Sequence, residues 1–336
     1  MTDLQHELIN WYQSNKRDLP WRNTSNPYFV WLSEIILQQT RVDQGLPYYE
    51  RFVSVFPTVF DLAAASETDV LKNWQGLGYY SRARNLHYTA KKIVQECDGV
   101  FPNTYDEILK LKGVGSYTAA AIASFCFDEP VAVLDGNVYR VLSRLFDVDL
   151  AINIPRNKRE YEIIANDFLD KENPALFNQA IMEFGALHCK PVSPSCESCP
   201  LRMNCYSFAN NTVQNRPVKL KKQKIRERFI VYLVIENDEK ILIHQRKQED
   251  IWKNMYEFPS LEFESKEDKE IYLMEHRQYV QKSLKHVLSH QHIYATFIEV
   301  YNLKNHLFTD AEWIELSDLS EVPLHRLITK FLETRN

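Results

Sequence analysis

Four cysteines, Cys189, Cys196, Cys199 and Cys205, fall within seventeen residues in the spacing C-x6-C-x2-C-x5-C. A set this dense can surround one metal centre, and it leaves the stretch little freedom to fold as anything but a loop around that centre. Two metal chemistries use such sets, tetrahedral zinc and the cubane iron–sulfur cluster. Structural zinc usually takes two C-x2-C knuckles. Here there is one close pair, Cys196 and Cys199, with a single cysteine on each side, which leans towards [4Fe–4S]. Two disulfides are the other arrangement, and they need an oxidising compartment. Nothing else in the chain reads as secreted. The opening MTDLQHELINWYQSNKRDLPW has no cationic start followed by an apolar core, so no leader is expected. No apolar run approaches the length of a membrane span. Cys97 and Cys126 stand alone, as reduced buried thiols do. The expected compartment is a reducing, cytoplasmic one.

At 336 residues the chain is too long for one small core, and two or more domains are expected. The net charge of −5 is unevenly spread: residues 1–224 carry 25 basic and 25 acidic side chains, residues 225–336 carry 15 and 20. Charge totals thus neither announce nor exclude a nucleic-acid partner. Up to about residue 210 the periodicity is helical. Leu4, Leu8, Ile9, Trp11 and Tyr12 recur at three- and four-residue steps, as do Val70, Leu71, Trp74 and Leu77. Asn26-Pro27 reads as an N-cap followed by proline at the first helical position. The texture changes at 216–228, RPVKLKKQKIRER, which holds seven basic residues and one acidic and reads as an exposed linker. Runs at Phe229–Glu236, Lys240–Arg246 and Val287–Tyr301 predict strands, and a last helix is expected near Leu324–Leu332. The expected architecture is a mainly α region over 1–215, a basic linker over 216–228 and an α+β domain over 229–336.

Three stretches carry chemistry. In Leu111-Lys-Gly-Val-Gly-Ser-Tyr-Thr-Ala-Ala120, Gly113 and Gly115 let the backbone approach a partner and open a helix with free N–H groups. That suits a DNA phosphate bound without sequence readout, and equally a plain helical corner. In Leu134-Asp-Gly-Asn-Val-Tyr-Arg-Val141, Asp135 reads as an N-cap and could also face a cleft, held ionised by the helix dipole. The helix around Glu34, YFVWLSEIILQQT, is apolar on nearly every side, with Val30 and Leu37 one turn away on the same face. Burial disfavours the charged form, so Glu34 is expected to have a raised pKa, as a general acid needs; a structural ion pair is the plainer role.

Four features in order resemble the helix–hairpin–helix superfamily of base-excision DNA glycosylases. They are LSEIILQQT (32–40), GLGYYSRARNL (76–86), LKGVGSYTAA with LDGNVYRV, and the cysteine set. Within it the chain is similar to the MutY-type adenine DNA glycosylases, which remove adenine mispaired with 8-oxoguanine or guanine. The resemblance is close over residues 8–210 and looser beyond. It implies that Glu34 protonates adenine N7 and Asp135 stabilises the oxocarbenium-like sugar, with Tyr117 and Asn137 orienting Asp135 and the sugar. It implies that Trp21 and Arg22 border the adenine pocket, that Gln39 and Tyr79 wedge into the duplex, and that Gly113 and Gly115 hold the backbone phosphate. Relatives of the endonuclease III type carry a lysine at the position of Tyr117, which attacks the sugar as an imine-forming nucleophile. Tyrosine cannot do so, and a monofunctional enzyme with little or no lyase activity is expected. The cysteines would hold a [4Fe–4S] cluster that organises a DNA-contacting loop.

The resemblance gives the last domain a Nudix-like fold, on Met255-Tyr-Glu-Phe-Pro-Ser-Leu-Glu-Phe263. The carboxylates of 264–276 lack the spacing that would hold magnesium, so a reader of 8-oxoguanine without hydrolase activity is expected. Its reading loop would be 285–292, with Ser289 and His290 bonding the base edge and Leu288 where the family has phenylalanine. His286, His290 and His292 are read as unliganded. The expected partner is duplex DNA with an A:8-oxoguanine or A:G pair, the expected state a monomer near the nucleoid, with no membrane. Competing readings are a glycosylase-lyase acting on oxidised pyrimidines, against which Tyr117 speaks, and a non-catalytic damage sensor, against which Glu34 and Asp135 speak.

Overall fold

The computed structural model of the chain describes residues 2–220, 225–288, 290–301, 308 and 310–335. Two compact units emerge. One comprises Met1–Gly45, Val53–Ala63 and Tyr88–Lys222; the other comprises Leu46–Phe52, Ala64–His87 and Gln223–Asn336.

The first unit is helical. Its central helix, Ser116–Phe127, is buried from Thr118 through Ser124, and its run of alanines lets neighbouring helices approach closely. Helices Pro27–Leu37 and Pro174–Leu187 both pack on it, and Asp3–Asn15 and Gly136–Leu145 pack on Pro174–Leu187 in turn. Leu8, Ile9, Tyr12, Ala121, Val138, Leu142, Phe177, Ile181 and Phe184 form the shared core. Each fully buried Leu, Ile or Phe there contributes about 1.5–3 kcal/mol. Local sequence sets where the helices start. Thr2 and Gln5 form a reciprocal capping box. The Asn26 side chain accepts from the Tyr28 N–H at 2.9 Å ahead of Pro27.

Among the described residues the second unit holds a seven-stranded sheet: β1 (Arg226–Asn237), β2 (Lys240–Gln245), β3 (Tyr256–Glu257), β4 (Ser260–Phe263), β5 (Val280–Val287), β6 (Gln291–Tyr301) and β7 (Ala311–Glu315). The order is β3-β2-β1-β6-β5, with β4 also paired to β1 and β7 to β2. The long central pair β1 and β6 is parallel, Phe229 opposite Tyr294, and the other pairs are antiparallel. Val231, Leu233, Ile235, Leu242, Ile298 and Val300 form one core. Phe331, from helix Arg326–Leu332, stacks on Phe297 at 4.0 Å, and Phe297 stacks on Tyr232 at 5.0 Å.

The fold class read from the sequence, a helical N-terminal region followed by a Nudix-like α+β domain, is the one observed. Two details differ. The run Val287–Tyr301 is the end of β5 and the whole of β6, two strands that pair antiparallel with Val287 opposite His292. Part of the basic stretch is tied down: Arg216 pairs with Asp147 at 3.1 Å, and Asn153 exchanges two 3.0 Å bonds with the Leu220 backbone. Among the described residues no helix is long and apolar enough to cross a membrane.

Candidate active site

Glu34 and Asp135 arrive by different routes at one cleft of about 440 Å³ in the helical unit, which Trp21, Arg22, Gln39, Tyr117, Asn137 and Glu183 also line. Glu34 comes from the middle of helix Pro27–Leu37 and is only 6% exposed. Burial pushes its pKa up to about 7, and the neighbouring Asp135 charge adds to this. A hydrogen bond from Tyr117 and the Arg22 charge pull the other way. Tyr117 belongs to the first turn of helix Ser116–Phe127, and its own pKa is raised well above the ordinary phenol value, mainly by burial.

Asp135 is both of the things its sequence allowed. It is the N-cap of helix Gly136–Leu145, its Oδ1 accepting from the Asn137 N–H at 2.8 Å and the Val138 N–H at 2.7 Å. The Asn137 amide donates to Oδ2 at 2.7 Å. Burial raises its pKa, and these three bonds hold the rise in check. A cap that points into a cleft is a carboxylate with a fixed position.

Behind Asp135 runs a chain of bonds to the cysteines. Arg140 donates to the Asn137 side-chain oxygen at 2.8 Å and to the Cys189 carbonyl at 2.7 Å. One turn on, Arg144 donates to the Cys189 Sγ at 3.3 Å and the Lys190 carbonyl at 2.7 Å. Both guanidinium groups are buried. Cys189, Cys196, Cys199 and Cys205 line one small cavity in that region. Burial and the neighbouring thiols push Cys199 up to about 12 and raise Cys196 and Cys205. Among the described residues no three His, Cys, Asp or Glu side chains are placed to hold a single metal ion.

The remaining sequence candidates lie elsewhere. Gly113, at φ 82°, turns the chain into helix Ser116–Phe127, and Gly115 is that helix's N-cap with no side-chain cap, so its first N–H groups are open to a ligand. Tyr79 belongs to the other unit, where it is 40% exposed with φ 50°. Ser289 lies outside the described residues. His290 is exposed at the β5–β6 reversal, Leu288 is half-buried, and its N–H donates to the Gln291 carbonyl at 2.9 Å. His286, close to Trp252, is pushed down to about 4 by burial.

Glu183 was missed in the sequence. Its carboxylate is 1% exposed and takes five hydrogen bonds, from the Arg17 backbone and guanidinium and from both terminal nitrogens of Arg22, at 2.6–2.9 Å. This holds its pKa down at about 2 and fixes Arg22 at the edge of the cleft. Its signal was present: it is the one charged residue in helix Pro174–Leu187, where only Asn178 and Gln179 are otherwise polar, a pattern close to the one that singled out Glu34.

Residues 32–161 match the HhH-GPD superfamily of base excision DNA repair proteins, and residues 230–334 match the NUDIX domain. The adenine DNA glycosylase of Buchnera aphidicola subsp. Baizongia pistaciae is 34% identical, over 97% of this chain and 94% of its own length. The human adenine DNA glycosylase is 41% identical over 61% of this chain and 39% of its own. A thermostable thymine-DNA glycosylase superposes with a TM-score of 0.58 at 27% identity, over 62% of this chain and 95% of its own. An endonuclease III from a DNA complex shares the fold at a TM-score of 0.54 and 24% identity, over 62% of this chain and 95% of its own. With Glu34, Asp135 and Tyr117 in one cleft and a relative 34% identical over 94% of its length, the chain belongs to the adenine DNA glycosylases, base-excision repair enzymes of the HhH-GPD superfamily.

Proposed function

We propose that this enzyme hydrolyses the N-glycosidic bond of adenine paired with 8-oxoguanine or guanine in duplex DNA and leaves the strand uncut. The observation that carries it is the pairing of Glu34 and Asp135 in one buried cleft with tyrosine, not lysine, at 117. The bond is unreachable inside the stack, so the adenosine must first be extruded. Gln39 and Tyr79 enter the space it leaves, and Trp21 and Arg22 border the base. Gly113 and Gly115 hold the backbone phosphate.

The chemistry follows from the two environments. Glu34, with a pKa near 7, is about half protonated at neutral pH and largely protonated below it, and it gives its proton to adenine N7. The C1′–N9 bond then breaks with its electrons moving into the base, and positive charge develops on the sugar. Asp135, fixed by its three hydrogen bonds, stabilises that charge, with Asn137 and Tyr117 holding the geometry. Water adds at C1′ and loses a proton, completing the hydrolysis. Without an amine at 117 no imine forms, and strand cleavage is absent or feeble.

The four cysteines fit a [4Fe–4S] cluster. They line one cavity, and burial makes the thiols of Cys196, Cys199 and Cys205 resist ionisation unless a cationic centre is present. A cubane spreads its thiolates over four irons, so it does not need three of them around a single ion. The cluster would cross-link the 189–205 loop and do no chemistry on the base. The chain divides into a glycosylase region over 1–215, a basic linker over 216–228 and a reader of 8-oxoguanine over 229–336, with Ser289 and His290 at the base. It acts as a cytoplasmic, nucleoid-associated monomer.

The test is a single-turnover reaction on a duplex with one A:8-oxoguanine pair, analysed with and without alkali. Breakage only after alkali is expected. Breakage without it would mean another amine acts as nucleophile, and bound duplex with no base release would overturn the reading in favour of a sensor.

A further inference from the structure

The loop Gln75–Tyr80 is held in an uncommon conformation by residues from distant parts of the chain. Gly76 and Gly78 have φ of 94° and 76°, and Tyr79, which has a Cβ, has φ 50°. Such a run persists only where its surroundings over-determine it. Local groups supply part of this. The Trp74 indole and Arg82 donate to the Gly78 carbonyl at 3.0 and 3.1 Å, the Gly76 N–H donates to the Tyr80 hydroxyl at 3.3 Å, and the Tyr48 hydroxyl donates to the Gln75 carbonyl at 2.9 Å.

The last constraint comes from the other end of the sequence. The Leu324 N–H donates to the Gln75 side-chain oxygen at 3.2 Å. Leu324 is 3% exposed and is bridged to Tyr256 of β3, whose N–H donates to the Pro323 carbonyl at 2.9 Å. Two more ties flank the loop: Lys72 pairs with Glu321 at 2.5 Å, and Arg84 donates to the Lys253 carbonyl at 2.9 Å. The Lys72 pair is exposed and contributes little, whereas the Leu324 N–H is buried and needs its acceptor.

We propose that Gln75 is a positioning residue through which the C-terminal domain sets Tyr79 in the geometry that enters the duplex. This rests on the reading that Tyr79 wedges beside 8-oxoguanine. Gln75 touches no substrate; it acts by fixing the backbone four residues before Tyr79.

Three full-length variants test it against the wild type at a temperature where circular dichroism shows all of them folded. They are Gln75→Leu, which removes the acceptor, Gln75→Glu, which keeps it, and Tyr79→Ala. Two readouts are taken: single-turnover excision, and the fluorescence of 2-aminopurine placed beside the 8-oxoguanine, which reports unstacking. Gln75→Leu should excise about tenfold more slowly, the cost of one buried donor left unpaired, with a weaker fluorescence rise. Gln75→Glu should restore both. Wild-type behaviour of Gln75→Leu, with Tyr79→Ala defective, would overturn the proposal and leave the wedge reading standing. Wild-type behaviour of Tyr79→Ala would overturn the wedge reading itself. A loss in Gln75→Glu equal to that in Gln75→Leu would show that the acceptor is not what matters.

Discussion

Tyr117 and Glu34 line the same cleft, and the pull of the Tyr117 hydroxyl on the Glu34 carboxyl opposes the burial that holds Glu34 near 7. A donor favours the ionised carboxylate, so removing it favours the acid. Excision should therefore fall as pH rises through about 7 in the wild type, as the general acid is lost. In Tyr117→Phe the fall should begin at a higher pH, because Glu34 then keeps its proton longer. Single-turnover rates measured from pH 5.5 to 9 check this. An unmoved alkaline limb would mean that Glu34 is not the group titrating.

Glu34→Gln separates chemistry from stability. The amide cannot give up a proton, and base release should drop by about a hundredfold or more while duplex binding persists. Stability should move the other way. A carboxyl whose folded pKa is raised from 4.5 to about 7 contributes stability that is complete below about 4.5 and is lost as pH rises through 7. The glutamine never ionises, so the variant should match the wild type at pH 4.5 and exceed it at pH 8.5 by up to about 3 kcal/mol. Urea unfolding at the two pH values measures the difference.

At Asp135 the cap and the catalytic charge can be separated by one substitution. Asparagine caps a helix about as well as aspartate, so Asp135→Asn should leave the melting temperature nearly unchanged. It removes the negative charge opposite the sugar, and excision should fall by about two to three orders of magnitude. A matched loss of stability and rate would assign Asp135 to structure alone.

The cysteine cavity predicts a metal-dependent loop. Purified protein should carry iron and inorganic sulfide with visible charge-transfer absorbance, and Cys199→Ser should lower both and expose 190–206 to protease. Zinc at one equivalent without sulfide would replace the cluster by a single ion.

Where local pattern carried the information, the sequence was legible; where long-range pairing carried it, it was not. Glu34 stood out because its helix neighbours are apolar, whereas Asp135 read as an N-cap at a helix start and took a catalytic role only from the resemblance. The cysteine spacing named its own loop. Arg140 and Arg144 did not stand out, because an arginine that bonds the Cys189 carbonyl looks like any helix-surface arginine until the chain brings position 189 beside it. The parallel pairing of β1 with β6 is hidden for the same reason. Between β5 and β6 the sequence offers no Gly, Asn or Pro to mark a turn, so two strands read as one run.

Glu183 is the most informative of the hidden residues to change. Five donors converge on a carboxylate that is 1% exposed, and two guanidinium groups depend on it. Glu183→Gln keeps the shape and removes the charge, so Arg17 and Arg22 lose their counter-ion; Arg22, 13% exposed, has little water to replace it. The loss at neutral pH should be about 3 kcal/mol, reduced somewhat because Arg17 is partly solvated. Its pH dependence runs opposite to that of Glu34. A folded pKa depressed from 4.5 to about 2 gives stability that is present above 4.5 and lost as pH falls through 2. The gap between wild type and Glu183→Gln should therefore be full at pH 7 and shrink below pH 4.5. Excision by the variant should also fall, because Arg22 is no longer held at the edge of the cleft. A constant gap from pH 7 to pH 3 would show that the ionisation of Glu183 is not the source of the difference.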